Sequence, residues 1–208
     1  KVLLCTQNAT DYVGIGTTSP NEKLDVQGKI YIESQGVDWN ETTPGLVRGA
    51  LHFDPVGDGA NNTGNAITFG ASDSSVGTNA NAGIYTRSDG TYGTKMYFAT
   101  TDSYALGSKA RMMIDYNGNV GIGNTNPTSG LSVTKSMGAA WLVDFVNTNV
   151  SGHGLLIQAG GTTGTRYITQ WKDALGTERF HMEDDGEAYF QGNVGIGTNA
   201  PGSKLHVY

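Results

Sequence analysis

Apolar and polar residues alternate in short runs along most of this chain. "KIYIES" (29–34), "NAITFGA" (65–71), "AGIYTRS" (82–88), "KMYFATT" (95–101) and "RMMIDY" (111–116) are rich in β-branched or aromatic residues. So are "WLVDFVN" (141–147), "GLLIQA" (154–159), "RYITQW" (166–171) and "RFHME" (179–183). Gly, Asn, Asp and Ser clusters bound them, which is the pattern of strands joined by turns. Asp89-Gly90 and Asn117-Gly118 mark hairpin tips, read here as type I′ turns because these take positive φ at both central residues. The one stretch with room for a helical turn is 139–146, and its "WLVDFVN" suits a strand equally well. The pattern predicts an all-β chain, with Trp141 and Trp171 in its core.

One segment recurs three times. Val13, Val120 and Val194 each open Val-Gly-Ile-Gly, through Gly14, Ile15 and Gly16, then Gly121, Ile122 and Gly123, then Gly195, Ile196 and Gly197. Pro20, Pro127 and Pro201 follow at one fixed distance, and Leu24, Leu131 and Leu205 at another. Val26, Val133 and Val207 complete the frame. In an extended strand the Val and Ile of each copy share a face and the two glycines leave the other bare. Bare main chain lets another backbone come close. Proline ends ladder donation and holds the residue before it extended. Each copy therefore predicts a short strand, a proline corner and a second short strand that begins the next module, with the glycines admitting neighbouring chains around a common axis.

Between the copies lie two inserts that resemble each other. "GIYTRSDGTYGTKMYF" (83–98) matches "GLLIQAGGTTGTRYIT" (154–169) in its Gly and Thr positions, and Arg111 and Arg179 then lead into Asn117-Gly118 and Asp185-Gly186. The expected organisation is a first connector over 1–29, a β-sandwich-like module over 30–119, a second connector over 120–135, a second module over 136–191 and a third connector over 192–208. The chain begins at Lys1 and stops within a repeat, so it is expected to be a piece of something longer.

Composition adds a constraint on the core. Glycine fills 31 of the 208 positions, whereas Leu, Ile, Val and Phe together fill 42, close to the fraction at which a chain no longer buries enough to fold. Ordering a glycine costs roughly 0.5–1 kcal/mol more than ordering an alanine. A lone monomer is under-supplied, and chains that bury one another's apolar faces are expected. The formal charge of −6 and the absence of a Lys/Arg run leave no footprint for nucleic acid or an anionic membrane. No apolar stretch approaches the ~20 residues of a membrane span. Cys5 is the single cysteine, which excludes an intrachain disulfide and leaves no cysteine-based metal frame.

Candidate chemistry is sparse. The Gly-Ile-Gly steps of the first two copies hold Ser19 and Asn126 where a dinucleotide loop has its third glycine, a proline follows the first of these, and no helix opens after any copy. His52, His153, His181 and His206 are scattered without ligand spacing and read as ordinary strand or surface positions; His206 shares its frame position with Asp25 and Ser132 and is expected to face solvent. The run Glu183–Glu187 has the carboxylate density of a calcium loop or a glycosidase pair, but it aligns with the uncharged Asn117-Gly118 tip and reads as a hairpin end. No catalytic residue, cofactor or metal ligand is predicted. Trp39, Tyr92 and Tyr104, on polar loop-like stretches, are the candidates for receptor contact, since exposed rings stack on sugar faces.

"ARMMIDYNGNVGIGNTNPTSGLSV" and "YFQGNVGIGTNAPGSKLHV" resemble the repeated segments of bacteriophage tail fibres and tailspikes, which often precede an intramolecular chaperone of the endosialidase type. "GIYTRSDGTYGTKMYFATTDSY" is similar to shaft or receptor-binding modules of such fibres, and together these stretches cover about a third of the chain. The resemblance implies an elongated, intertwined homotrimer in a virion tail, outside the cell. Its partners would be copies of itself, other tail proteins and a glycan or protein on the host surface, with no nucleic acid and no membrane insertion. This sequence shows neither the chaperone nor a virion-anchoring domain. The alternatives are a bacterial adhesin or surface filament, and a tailspike that degrades polysaccharide.

Overall fold

The computed structural model describes residues 4–7, 12–34, 36, 40–46, 48–54, 63–70, 79–89, 93–103, 106–136, 138, 141–148, 151, 153–158 and 166–208. They form an all-β chain whose helical content is one 3-10 turn at Pro44–Leu46. Two compact units divide it, Lys1–Ser136 and Met137–Tyr208.

In the first unit, β1 (Leu4–Gln7), β2 (Tyr12–Ile15) and β3 (Leu24–Val26) make one sheet in that order. A second sheet runs β4 (Ala66–Phe69), β5 (Ala82–Ser88), β6 (Thr94–Thr100), β7 (Lys109–Ile114), β8 (Val120–Ile122) and β9 (Leu131–Val133). Its neighbours are antiparallel except for the parallel pair β8–β9. The register lines up Ile67, Ile84, Phe98, Met112, Ile122 and Val133, one from each strand, on a single side. The opposite side carries Tyr85, Tyr97 and Met113, and there Met113 is only 1% exposed.

In the second unit β10 (Tyr167–Lys172), β11 (Glu178–Glu183) and β12 (Ala188–Phe190) form an antiparallel sheet, and β13 (Val194–Ile196) pairs in parallel with β14 (Leu205–Val207). The relation between the inserts is visible in the bonds. The Gly123 N–H donates to the Arg111 carbonyl, and the Gln191 N–H donates likewise to that of Arg179. Strand β12 thus occupies beside β11 the place that β8, a Val-Gly-Ile strand, occupies beside β7. The second module inserts a strand of its own before its connector begins.

Hairpins β7–β8, β10–β11 and β11–β12 share one turn. The first residue (Asp115, Asp173 or Glu183) exchanges backbone bonds with the residues three and four positions on, and Gly118, Gly176 or Gly186 sits third in the loop at positive φ. This is the three-residue loop with a glycine bulge, not the two-residue type I′ turn expected at Asn117-Gly118. Asp115 and Asp173 each accept two further backbone N–H bonds on Oδ1, which holds the loop in that longer form.

Several expected strands do not form. Residues 29–34, 141–147 and 154–158 are described without secondary structure, and their apolar side chains are exposed. Trp141 is 86% exposed and Trp171 63%, so neither is core. These segments have strand composition but no partner within the chain, and β-propensity largely reflects packing against neighbours. The helical turn allowed around 139–146 is likewise absent from the described residues 141–146. Among the described residues every pair of elements in substantial contact is a pair of hydrogen-bonded neighbours in one sheet, and the face-to-face packing of the expected sandwiches is not seen there. Among the described residues the buried apolar side chains are few: Ala99 and Met113 in the six-stranded sheet, and Pro20 and Pro127 beside the Val-Gly-Ile strands.

Candidate assembly and recognition site

The three Val-Gly-Ile-Gly copies fold alike. Val13 pairs with Leu24, Val120 with Leu131 and Val194 with Leu205; the central glycines pair with Asp25, Ser132 and His206. The second strand therefore returns to lie parallel beside the first, correcting the expectation that it opens the next module. The crossover spans residues 16–23, 123–130 and 197–204, shorter than the dozen or more residues that usually join parallel strands.

Local chemistry makes so short a crossover possible. Thr17, Asn124 and Thr198 each accept the N–H two residues on with a side-chain oxygen. Pro20 and Pro127 are buried under this fold and Pro201 is half-buried. The Asn21 N–H donates to Asp25 Oδ2, the Gly202 N–H donates to His206 Nδ1, and Asn124 Nδ2 donates to Ser132 Oγ. The frame position expected to face solvent instead fastens the loop.

The glycines are needed for the same reason. A Cβ on Gly14, Gly121 or Gly195 would lie 2.6, 2.0 or 2.3 Å from the carbonyl oxygen of Thr17, Asn124 or Thr198. The backbone that approaches the bare face is thus the chain's own. The opposite, apolar face is the one left open: Leu24, Leu131 and Leu205 are 60–62% exposed, with Ile15, Ile122 and Ile196 beside them also exposed. In the second copy this face continues into the row from Ile67 to Val133, where Ile67, Phe98 and Ile122 are exposed.

The second unit holds two side-chain groups that sequence reading missed. His181 stacks on Tyr189 at 5.2 Å between ring centroids and tilts against Tyr167 at 4.6 Å. Its Nδ1 meets Glu178 and its Nε2 lies 3.4 Å from Glu183. The Glu178 carboxyl is held below its ordinary range by the His181 hydrogen bond, helped by one from Gln170. On the other side of the sheet Trp171, Phe180 and Phe190 form a run with centroids 4.9 and 4.7 Å apart, and Trp171 and Phe190 are exposed. The strand in "RFHME" was readable, but its three-residue partner β12 was not, and both groups depend on that pairing.

The two insert arginines are bonded to aspartates. Arg179 Nε donates to Asp173 Oδ2 at 3.0 Å, and the Arg179 bond lowers the Asp173 carboxyl from its ordinary value. Arg111 Nη2 lies 3.3 Å from Asp102, whose carboxyl is lowered first by Lys109 and then by Arg111. At the acidic tip, Glu183, Asp185 and Glu187 bring carboxylate oxygens within 4.8 Å of one another, while Asp185 Oδ1 accepts the Glu187 N–H. The run is a hairpin end, as its alignment with Asn117-Gly118 led one to expect. Trp39, Tyr92 and Tyr104 lie outside the described residues. No protein-family model matches the chain, and no curated protein matches it either.

Proposed function

We propose that this chain is a structural and receptor-binding segment of a phage tail fibre, working as a homotrimer at the outside of the virion tail. The observation that carries the reading is the open apolar side of the six-stranded sheet, running from Ile67 through Phe98 and Met112 to Ile122 and Val133. Fully burying one such side chain is worth roughly 1.5–3 kcal/mol. A single chain leaves this term unused at Ile67, Phe98 and Ile122, which are exposed, and copies packed face to face recover it. The connector likeness to fibre segments supplies the context. The role is then mechanical: projection of repeated modules, each making weak contacts to a host glycan or surface protein that add through simultaneous engagement. No catalytic role is assigned to any residue.

Sedimentation equilibrium tests the assembly. The expected result is three times the 21.9 kDa chain mass. A species of single-chain mass across the micromolar range refutes the reading, because an unpartnered apolar sheet face of this extent does not remain in water.

A further inference from the structure

The three connectors differ at one edge. Strand β2 carries β1 antiparallel on the side away from β3, with Cys5 opposite Gly14. Strand β8 carries β7 in the same way, with Met113 opposite Gly121. Strand β13 has the same Val-Gly-Ile sequence and the same parallel partner, yet among the described residues nothing pairs with its other edge. The Val194 N–H donates to the Lys204 carbonyl, and the Ile196 carbonyl accepts the Tyr208 N–H. By strand alternation Gly195 turns its N–H and C=O toward the open edge.

A second open edge lies close by in sequence. Among the described residues β12 pairs with β11 alone. The Gln191 N–H donates to Arg179 and the Glu187 carbonyl accepts from Glu183, so Ala188 and Phe190 turn their backbone groups away from β11. Residues 191–193 link β12 to β13, a length suited to a hairpin, but the two strands do not pair within the chain. Each edge thus has unspent donors and acceptors that match the other.

We infer that β12 of one chain pairs antiparallel with β13 of a second copy, with Phe190 opposite Gly195. The result is a five-stranded sheet, β10–β11–β12 from one chain and β13–β14 from the next. The Phe190 ring, exposed in the single chain, then covers the central glycine as Met113 does over Gly121, where Met113 Cγ lies 3.4 Å from the place of a Cβ. The two edges are different surfaces, so the contact is head-to-tail, and in the proposed trimer three such contacts follow one another around the axis. The inference rests on the assembly proposed above, for which it names the strands exchanged.

Residue-resolved amide hydrogen exchange tests it on the intact chain. In the assembled protein the Gly195 and Phe190 amides are expected to exchange at least a hundredfold more slowly than in the dissociated chain, whereas Gly121, paired in-chain with β7, is slow in both states. A trimer in which Gly195 or Phe190 exchanges at the dissociated rate overturns the inference and leaves the trimer standing. A chain of monomer mass overturns both. Ala188→Pro removes a donor from the open edge alone, a change that an unpaired edge strand tolerates. It is expected to raise the concentration for half-assembly at least tenfold, and an unchanged midpoint overturns the pairing with β12.

Discussion

Replacing Gly121 with alanine adds a single methyl group, and the structure specifies what that group meets. Its carbon would lie 2.0 Å from the carbonyl oxygen of Asn124, whereas ordinary contact begins near 3.4 Å, so the crossover has to retreat by about 1.4 Å. The oxygen belongs to backbone and cannot rotate aside. Retreat loosens the bonds at the two ends of the crossover, Val120 N–H to Gly130 and Thr134 N–H to Ile122, each worth about 1 kcal/mol net. Forcing a methyl into a filled site adds roughly 1–3 kcal/mol. The sum is about 3–5 kcal/mol, or a fall in melting temperature of about 6–20 °C for a chain of this length. Thermal unfolding followed by far-UV circular dichroism measures it. Gly130→Ala is the matched control: it lies in the same crossover, no atom stands within 4 Å of its Cβ, and its φ is not positive. That variant is expected within about 0.5 kcal/mol of the parent. If Gly121→Ala melts with Gly130→Ala, the crossover is not packed as described and the argument for all three connectors is lost.

Two further perturbations separate assembly from folding and charge from packing. Ile122→Ser is expected to keep the strand signal in circular dichroism but to raise the half-assembly concentration more than tenfold, since roughly 1.5–3 kcal/mol of burial is lost per chain. An unchanged midpoint in sedimentation would show that the apolar row is not the contact. Asp173, lowered by its bond to Arg179, contributes stability above the carboxylate's ordinary value of 3.8 and loses it as the pH falls through the depressed value. Asp173→Asn should therefore lower the melting temperature at neutral pH and flatten its decline below about pH 4; parallel profiles for the two proteins would remove the ion pair from the account of stability.

The connectors were the most legible feature of the sequence because four positions recur in one frame. What stayed hidden was the return of the second strand. It depends on side-chain oxygens at Thr17, Asn124 and Thr198 that look like ordinary loop residues until the crossover is seen. The strands in "AGIYTRS", "KMYFATT" and "RFHME" were readable since each has an adjacent partner across a short turn. "KIYIES" and "WLVDFVN" have the same composition without such a neighbour, and composition alone does not supply one. The glycines were rightly read as places of close approach, but the approaching backbone is three residues away in the same chain. The polar cluster around His181 required the pairing of β11 with β12, a strand of three residues that no pattern of hydrophobicity announces.

The parallel connector also has a mechanical side. A pull along the chain enters at the start of the first strand and leaves at the end of the second, so the two neighbours are drawn past each other lengthwise. The bonds at the two ends of the pair, Val13 N–H to Lys23 and Gln27 N–H to Ile15, then carry the load together with those between them. Strands loaded in shear yield as a set, whereas a hairpin opens like a zipper, one rung at a time. Three such units within 208 residues place shear-resistant clasps at intervals along the polypeptide, whose other described strand pairs are antiparallel.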